Sequence, residues 1–163
     1  MPELFQAAGF TPETTFTDYE RRGSAGVEPV VDELVIPVSV DDLVASDALA
    51  DTGDVSWERG RQVLESRAGV LEGAAIATPV AIDAYLLYRR APGGGIDVLA
   101  ASCREVASAE VYLALLLRWL IGRSDVVRLP RLAAGEVPQA VLAALSFEAV
   151  RRHARYAATA RRA

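Results

Sequence analysis

From Gly95 to Gly122 the chain reads GIDVLAASCREVASAEVYLALLLRWLIG, a short branched apolar run passing straight into a long helical pattern, and this stretch limits the fold more than any other. Ile96, Val98, Leu99 and Ala100, entered through the turn residues Pro92 to Gly95, have the composition of a central strand. The spacing predicts that the strand stops at Ser102, whose hydroxyl caps a helix while Glu105 reaches back to the Ser102 amide in a capping box. Val106, Ala109, Leu113, Leu116, Leu117 and Leu120 then recur at helical spacing, and Gly122 closes the helix. A strand that turns directly into a helix offers the helix's first amides, with their partial positive charge, to a phosphate group.

A chain of 163 residues with 52% hydrophobic content can bury one ample core, which predicts one compact α/β (α+β) domain with room for an appendage. Cys103 and His153 are the only residues of their kinds, which excludes an internal disulfide framework and argues against a protein-built zinc site, so no metal is expected. Glu3 stands where a signal peptide carries basic residues, and the apolar run Val111 to Leu117 is too short to span a bilayer. No membrane partner and a cytoplasmic location are the expectation. All 17 positive charges are arginine, and they are unevenly placed: Met1 to Glu72 carries 15 acids against 5 arginines, Gly73 to Ala163 carries 7 acids against 12. The overall charge of -5 and the absence of a basic stripe interleaved with aromatics argue against nucleic acid as a partner.

In chain order, Leu4 to Ala8 reads as a helical turn or two ended by Gly9, and Phe10 to Tyr19 as a strand. Gly23 to Pro29 has linker composition. Leu34 to Val38 reads as a strand, Val40 to Ala48 as a short helix, and Trp57 to Ser66 as a helix capped by Ser56. Gly73 to Thr78 and Ala81 to Arg89 read as a hairpin whose second strand is covered on both faces, with Ile82, Ala84, Leu86 and Tyr88 on one side and Asp83, Tyr85 and Leu87 on the other. After the long helix come a strand at Val126 to Leu129, lying near the organising strand, a helix from Pro138 to Leu145, and a last strand from Phe147 to Ala158.

This order, together with the Ser56-Trp57-Glu58-Arg59 helix, the Leu71-Glu72-Gly73 lead, the Ala84 to Arg89 strand and Leu145-Ser146-Phe147, resembles the GNAT superfamily of N-acetyltransferases from about Glu33 to Ala158. The resemblance implies a mixed, strongly twisted central sheet flanked by helices. It also implies acetyl-CoA entering a V-shaped opening between two parallel central strands, with its pyrophosphate on the turn after Ala101. The family's motif of Arg or Gln, two residues, Gly, one residue, then Gly or Ala falls on Arg104, Ala107 and Ala109, so the implied cofactor residues are Arg104, Val106, Ala107, Ser108 and Ala109. Ala107 departs from the motif with a methyl where backbone should approach the pyrophosphate, and Glu105 adds a carboxylate beside it. The family's tyrosine acid falls on Leu142, and its polar residue after the following strand on Pro130 and Arg131. Asp83, Glu58 and Glu72 are the candidate bases for an acceptor amine.

Shifting the chain by 137 residues places Ala7, Phe10 and Tyr19 on Ala144, Phe147 and Tyr156, with a helix before and a strand after in both copies. Residues 1–22 therefore look like the last helix and strand of a preceding GNAT unit, 23–32 like a linker, and 33–163 like a GNAT-like domain. Two functions follow. One is acetyl transfer from acetyl-CoA to the primary amine of a small molecule or peptide. The other is a domain of this fold without cofactor chemistry, serving a homodimer or a tandem assembly with a preceding unit. Cys103 is expected to be an inert helix-start thiol, His153 a surface strand residue among arginines, and Trp57 and Trp119 core anchors.

Overall fold

The computed structural model describes residues 2–50 and 54–158; Met1 and residues 159–163, at the ends of two of the expected segments, lie outside the described residues. The elements are α1 (Pro2–Ala7), β1 (Phe10–Arg22), β2 (Ile36–Val38), α2 (Val40–Ala45), α3 (Arg61–Ser66), β3 (Glu72–Ala77), β4 (Ile82–Arg90), β5 (Ile96–Cys103), α4 (Ala109–Ile121), β6 (Val126–Ala133), α5 (Gln139–Ala144) and β7 (Glu148–Ala158). The strands form one seven-stranded sheet in the order β2-β3-β4-β5-β6-β1-β7. Every neighbouring pair is antiparallel except β5 and β6, which run parallel.

The expected alternation of β4 holds from Ala84 to Tyr88 and divides the core in two, but Ile82, expected beside Ala84 and Leu86, packs on the opposite face after a register shift at the hairpin end. Ala84, Leu86 and Tyr88 join Ile96, Val98 and the buried face of α4, formed by Leu113, Leu116, Leu117, Leu120 and Ile121. Tyr85 and Leu87 point the other way, to Val40, Leu43 and Leu64 beneath α2 and α3. Each of those fully buried leucines contributes about 1.5–3 kcal/mol of hydrophobic stabilisation relative to exposure, so α4 is held by its apolar stripe.

The organising stretch differs from expectation at its turn. β4 continues to pair with β5 through Ala84 and Cys103, and the Arg104 amide donates to the Asp83 carbonyl at 2.7 Å. Ser102 is therefore a strand residue, and no capping box forms there. A 3-10 turn at Val106–Ser108 follows, and α4 begins at Ala109 without a side-chain cap. The capping box of this chain is at Ser39: its Oγ accepts from the Asp42 amide at 3.0 Å while the Ser39 amide donates to the Asp42 carboxylate at 2.8 Å. The expected helix from Trp57 to Ser66 is broken by Gly60 into a 3-10 turn, Trp57–Arg59, and α3, and the Ser56 hydroxyl makes no cap. Trp57 is 65% exposed, so it is no core anchor. Trp119 packs on the edge of Tyr88 and lies under the Arg123 guanidinium.

β1 lies between β6 and β7, so residues 10–22 share one sheet with the strands of the downstream segment. The residues with linker composition are also tied down. Val27 and Val30 pack against the core, and Arg21, itself buried, donates to the carbonyls of Gly23, Ala25 and Leu145. Among the described residues no helix is long and apolar enough to cross a membrane.

Gly95 sets the approach of β5 to β6. Its φ is +84°, and a Cβ there would stand 2.9 Å from the Val126 carbonyl oxygen. Gly95→Ala is expected to cost about 1–3 kcal/mol through combined backbone strain and crowding, read as a lower midpoint in urea unfolding; an unchanged midpoint would show that the junction relaxes freely.

Candidate functional site

The parallel ladder between β5 and β6 consists of Ile96 with Val127 and Asp97 with Arg128. Beyond it the strands are no longer paired, leaving an opening at the centre of the sheet where the resemblance calls for a cofactor. Arg59 spans the apex of that opening. Delivered from the 3-10 turn at Trp57–Arg59, its Nη1 donates to the Val98 carbonyl on β5 at 2.6 Å and to the Pro130 carbonyl on β6 at 3.0 Å, bridging the two strands. Its Nε donates to Glu136 Oε1 at 2.7 Å, and the second Glu136 oxygen accepts from the Ala133 amide at 3.1 Å. The Arg59 side chain is 1% exposed and that of Glu136 8%. Arg59 Nη2 is also buried, and it has no hydrogen-bond partner.

The turn expected to cradle a pyrophosphate presents few free donors. The Ser108 amide donates to the Glu105 carbonyl at 3.1 Å, and the Ala109 amide donates to the Val106 carbonyl. Arg104 and Ala107 are exposed, and Val106 is 91% exposed. Cys103, expected at a helix start, ends a strand, donates from Sγ to the Glu105 carbonyl, and has its thiol pKa pushed up by burial.

The three candidate bases are not brought together. Glu58 is bound to Arg131 at 2.9 Å. Glu72 and Asp83 sit at opposite ends of the β3–β4 hairpin, with Glu72 paired across from Tyr88 and Asp83 next to the turn that joins Ala77 to Ile82. Asp83 lines a cleft of about 520 Å³ with Asp47, Tyr85, Ser102, Cys103 and Arg104. The Tyr85 hydroxyl accepts from the Ala50 amide at 3.0 Å, and burial raises its pKa. Leu142, at the position of the family's acid, is fully buried. Among the described residues no group of three or more His, Cys, Asp or Glu is placed to hold a metal ion.

Two pairings escaped the sequence. Arg59 and Glu136 stand 77 positions apart, and nothing in their spacing links them; the only signal was Arg59 within the Ser56-Trp57-Glu58-Arg59 spelling. His153, read by its arginine neighbours, meets the carboxylate of Asp18 at 2.8 Å across the β1–β7 ladder.

No family model matches the chain, and no curated protein matches it. Solved structures do. A GNAT-family acetyltransferase from Novosphingobium aromaticivorans is 18% identical with a TM-score of 0.58, covering 88% of this chain and 64% of its own. A GCN5-related N-acetyltransferase from Kribbella flavida is 13% identical with a TM-score of 0.57, covering 91% of this chain and 60% of its own. One from Anabaena variabilis is 11% identical with a TM-score of 0.61, covering 94% and 42%. This chain thus spans less than two thirds of each. At these identities the likeness is one of architecture, and the mixed sheet with its parallel β5–β6 step and its flanking helices is the GNAT acetyltransferase fold.

Proposed function

We propose that this chain is an acetyltransferase-fold domain that does not carry out transfer and serves instead in assembly. The observation that carries this reading is the Arg59–Glu136 pair set across the β5–β6 opening. An acetyl-CoA molecule threading that opening needs space and free backbone groups between the strands. Here the Val98 and Pro130 carbonyls are taken by a guanidinium, and a carboxylate stands beside it. Moving the pair would expose two charges that are stable only together, since a buried ion left without its partner costs several kcal/mol. The residues present therefore do not fit the cofactor.

The surrounding chemistry supports the same reading. Of the implied cofactor residues, Val106, Ala107 and Ser108 form a 3-10 turn, the amides of Arg104, Ser108 and Ala109 are already used, Ala107 adds a methyl, and the neighbouring Glu105 adds a carboxylate unfavourable to an anion. Leu142 cannot protonate a leaving thiolate, and the carboxylates Asp83, Glu58 and Glu72 do not converge on one acceptor. What remains is a stable sheet with a long exposed strand at one edge, which suits a binding module.

Isothermal titration of the 163-residue protein with acetyl-CoA tests this. The expected result is no saturable heat up to about millimolar ligand, weaker than about -4 kcal/mol. Micromolar binding that is lost in Ala107→Glu would overturn the reading and put the cofactor on the turn before α4. The bridge itself is tested by stability: Arg59→Met should cost about 3–5 kcal/mol because it strands the Glu136 carboxylate, and Arg59→Met with Glu136→Gln should recover part of that loss in urea unfolding. Additive losses in the double variant would mean that the pair is not energetically coupled.

A further inference from the structure

The 137-residue repeat extends well beyond three identities. α1 spans Pro2–Ala7 and α5 spans Gln139–Ala144, the same positions under the shift. Gly9 has φ +84° and its counterpart Ser146 has φ +57°, each ending its helix in the left-handed region. The Ala8 and Gly9 amides donate to the carbonyls of Leu4 and Gln6, and the counterpart amides of Leu145 and Ser146 donate to those of Val141 and Ala143. The following strands pair with each other, and each carries one extra residue: Glu13 on β1 and Val150 on β7, again counterparts. Phe16 and its counterpart His153 sit directly opposite one another. A two-fold axis therefore passes through that pair, perpendicular to the sheet, exchanging α1–β1 with α5–β7.

The surroundings break the symmetry. β1 has β6 along its outer side, and α5 is buried with α4 in one core. β7 ends the sheet, and its outer side has no paired strand among the described residues. Val141 and Leu142 are 3% and 2% exposed, whereas their counterparts Leu4 and Phe5 are 70% and 48% exposed. Phe5 stacks on Tyr156, leaving the rest of the α1 face bare. The axis states what is missing: a strand in the place of β6 beside β7, and a helix in the place of α4 over Leu4 and Phe5.

We propose that the outer edge of β7 and the apolar face of α1 receive a second acetyltransferase-fold sheet that lacks its own last helix and strand, and that α1 and β1 are that helix and strand. A second copy of this chain does not meet the requirement, because its β6 edge is covered by its own β1. Pairing β7 with β7 of another copy would also set Arg151, Arg152 and Arg155 against themselves, with Glu148 the only acid in the strand. Under the axis the partner strand faces His153, Ala154, Tyr156 and Ala157, the counterparts of Phe16, Thr17, Tyr19 and Glu20, so this edge asks for a largely apolar strand like β6, whose matching residues are Ala133, Leu132, Leu129 and Arg128. This inference names the partner of the assembly role proposed above and rests on that role.

The repeat supplies the probe. Residue 138 is the counterpart of residue 1, so placing residues 23–137 directly ahead of the full chain puts α1 and β1 where α5 and β7 stand in the added unit. Hydrogen exchange is measured by mass spectrometry on the full chain alone and on the fusion. The chain alone should be monomeric, with residues 2–8 exchanging freely, and the fusion should slow exchange in residues 2–8 and 148–158 by about 100-fold or more. Protection of residues 2–8 in the monomeric chain would overturn the proposal, as would self-association that protects β7. A fusion that leaves both segments unchanged, or fails to fold although every element of the second sheet is present, would also overturn it. Acetyl-CoA binding by the full chain would defeat the non-catalytic reading while leaving these exchange results as they are, so the two failures are distinguishable.

Discussion

Everything in this sheet depends on how β5 and β6 stay together once their ladder ends. The parallel contact covers Ile96 with Val127 and Asp97 with Arg128, yet three strands lie on one side of it and two on the other. The Arg59 guanidinium replaces the missing ladder, reaching both strands with one nitrogen and holding Glu136 with another. A buried ion pair of this kind adds little net stability over a well-packed apolar substitute, but it is costly to break, and it fixes one arrangement of the groups around it.

Bridge and turn reinforce each other. Because β4 keeps pairing with β5 out to Cys103 and the Arg104 amide donates to the Asp83 carbonyl, α4 starts only at Ala109. The helix is held by Leu113, Leu116, Leu117 and Leu120, none of which needs the first turn to be well formed. The apolar stripe and the phosphate-binding turn are independent features of such a stretch, so one can survive while the other is lost.

This independence also explains what the sequence could reveal. Periodicity located α4, the β3–β4 hairpin, the parallel neighbour of β5 and both helix-strand copies, because burial on one face or two leaves a regular signature in residue type. It misjudged Ser102, where a capping box and a strand end are spelled alike, and only the β4 partner decides between them. It misjudged Trp57 because an aromatic residue in a broken helix carries no mark of which side is wet. Arg59 with Glu136, and His153 with Asp18, were invisible for a different reason: each pair is joined by the fold and by nothing local.

The helix-strand repeat shows how geometry outlasts spelling. Residues 2–22 and their counterparts share few side chains, yet helix limits, left-handed ends and bulges coincide. What has diverged is charge. β1 carries Glu13, Asp18 and Glu20 where β7 has Val150, Arg155 and Ala157. The ladder between them is accordingly a pairing of unlike strands, with Glu13 bound to Arg155 at 3.0 Å and Asp18 to His153 at 2.8 Å. Two strands related by an axis but opposite in charge favour each other over their own kind, which limits self-association at the β7 edge. Glu20, the acid of β1 that meets Arg128 of β6, has become Ala157 on β7, so a sheet seated outside β7 meets small and aromatic residues there, and the charge reversal that keeps copies of this chain apart leaves that edge open to an apolar strand.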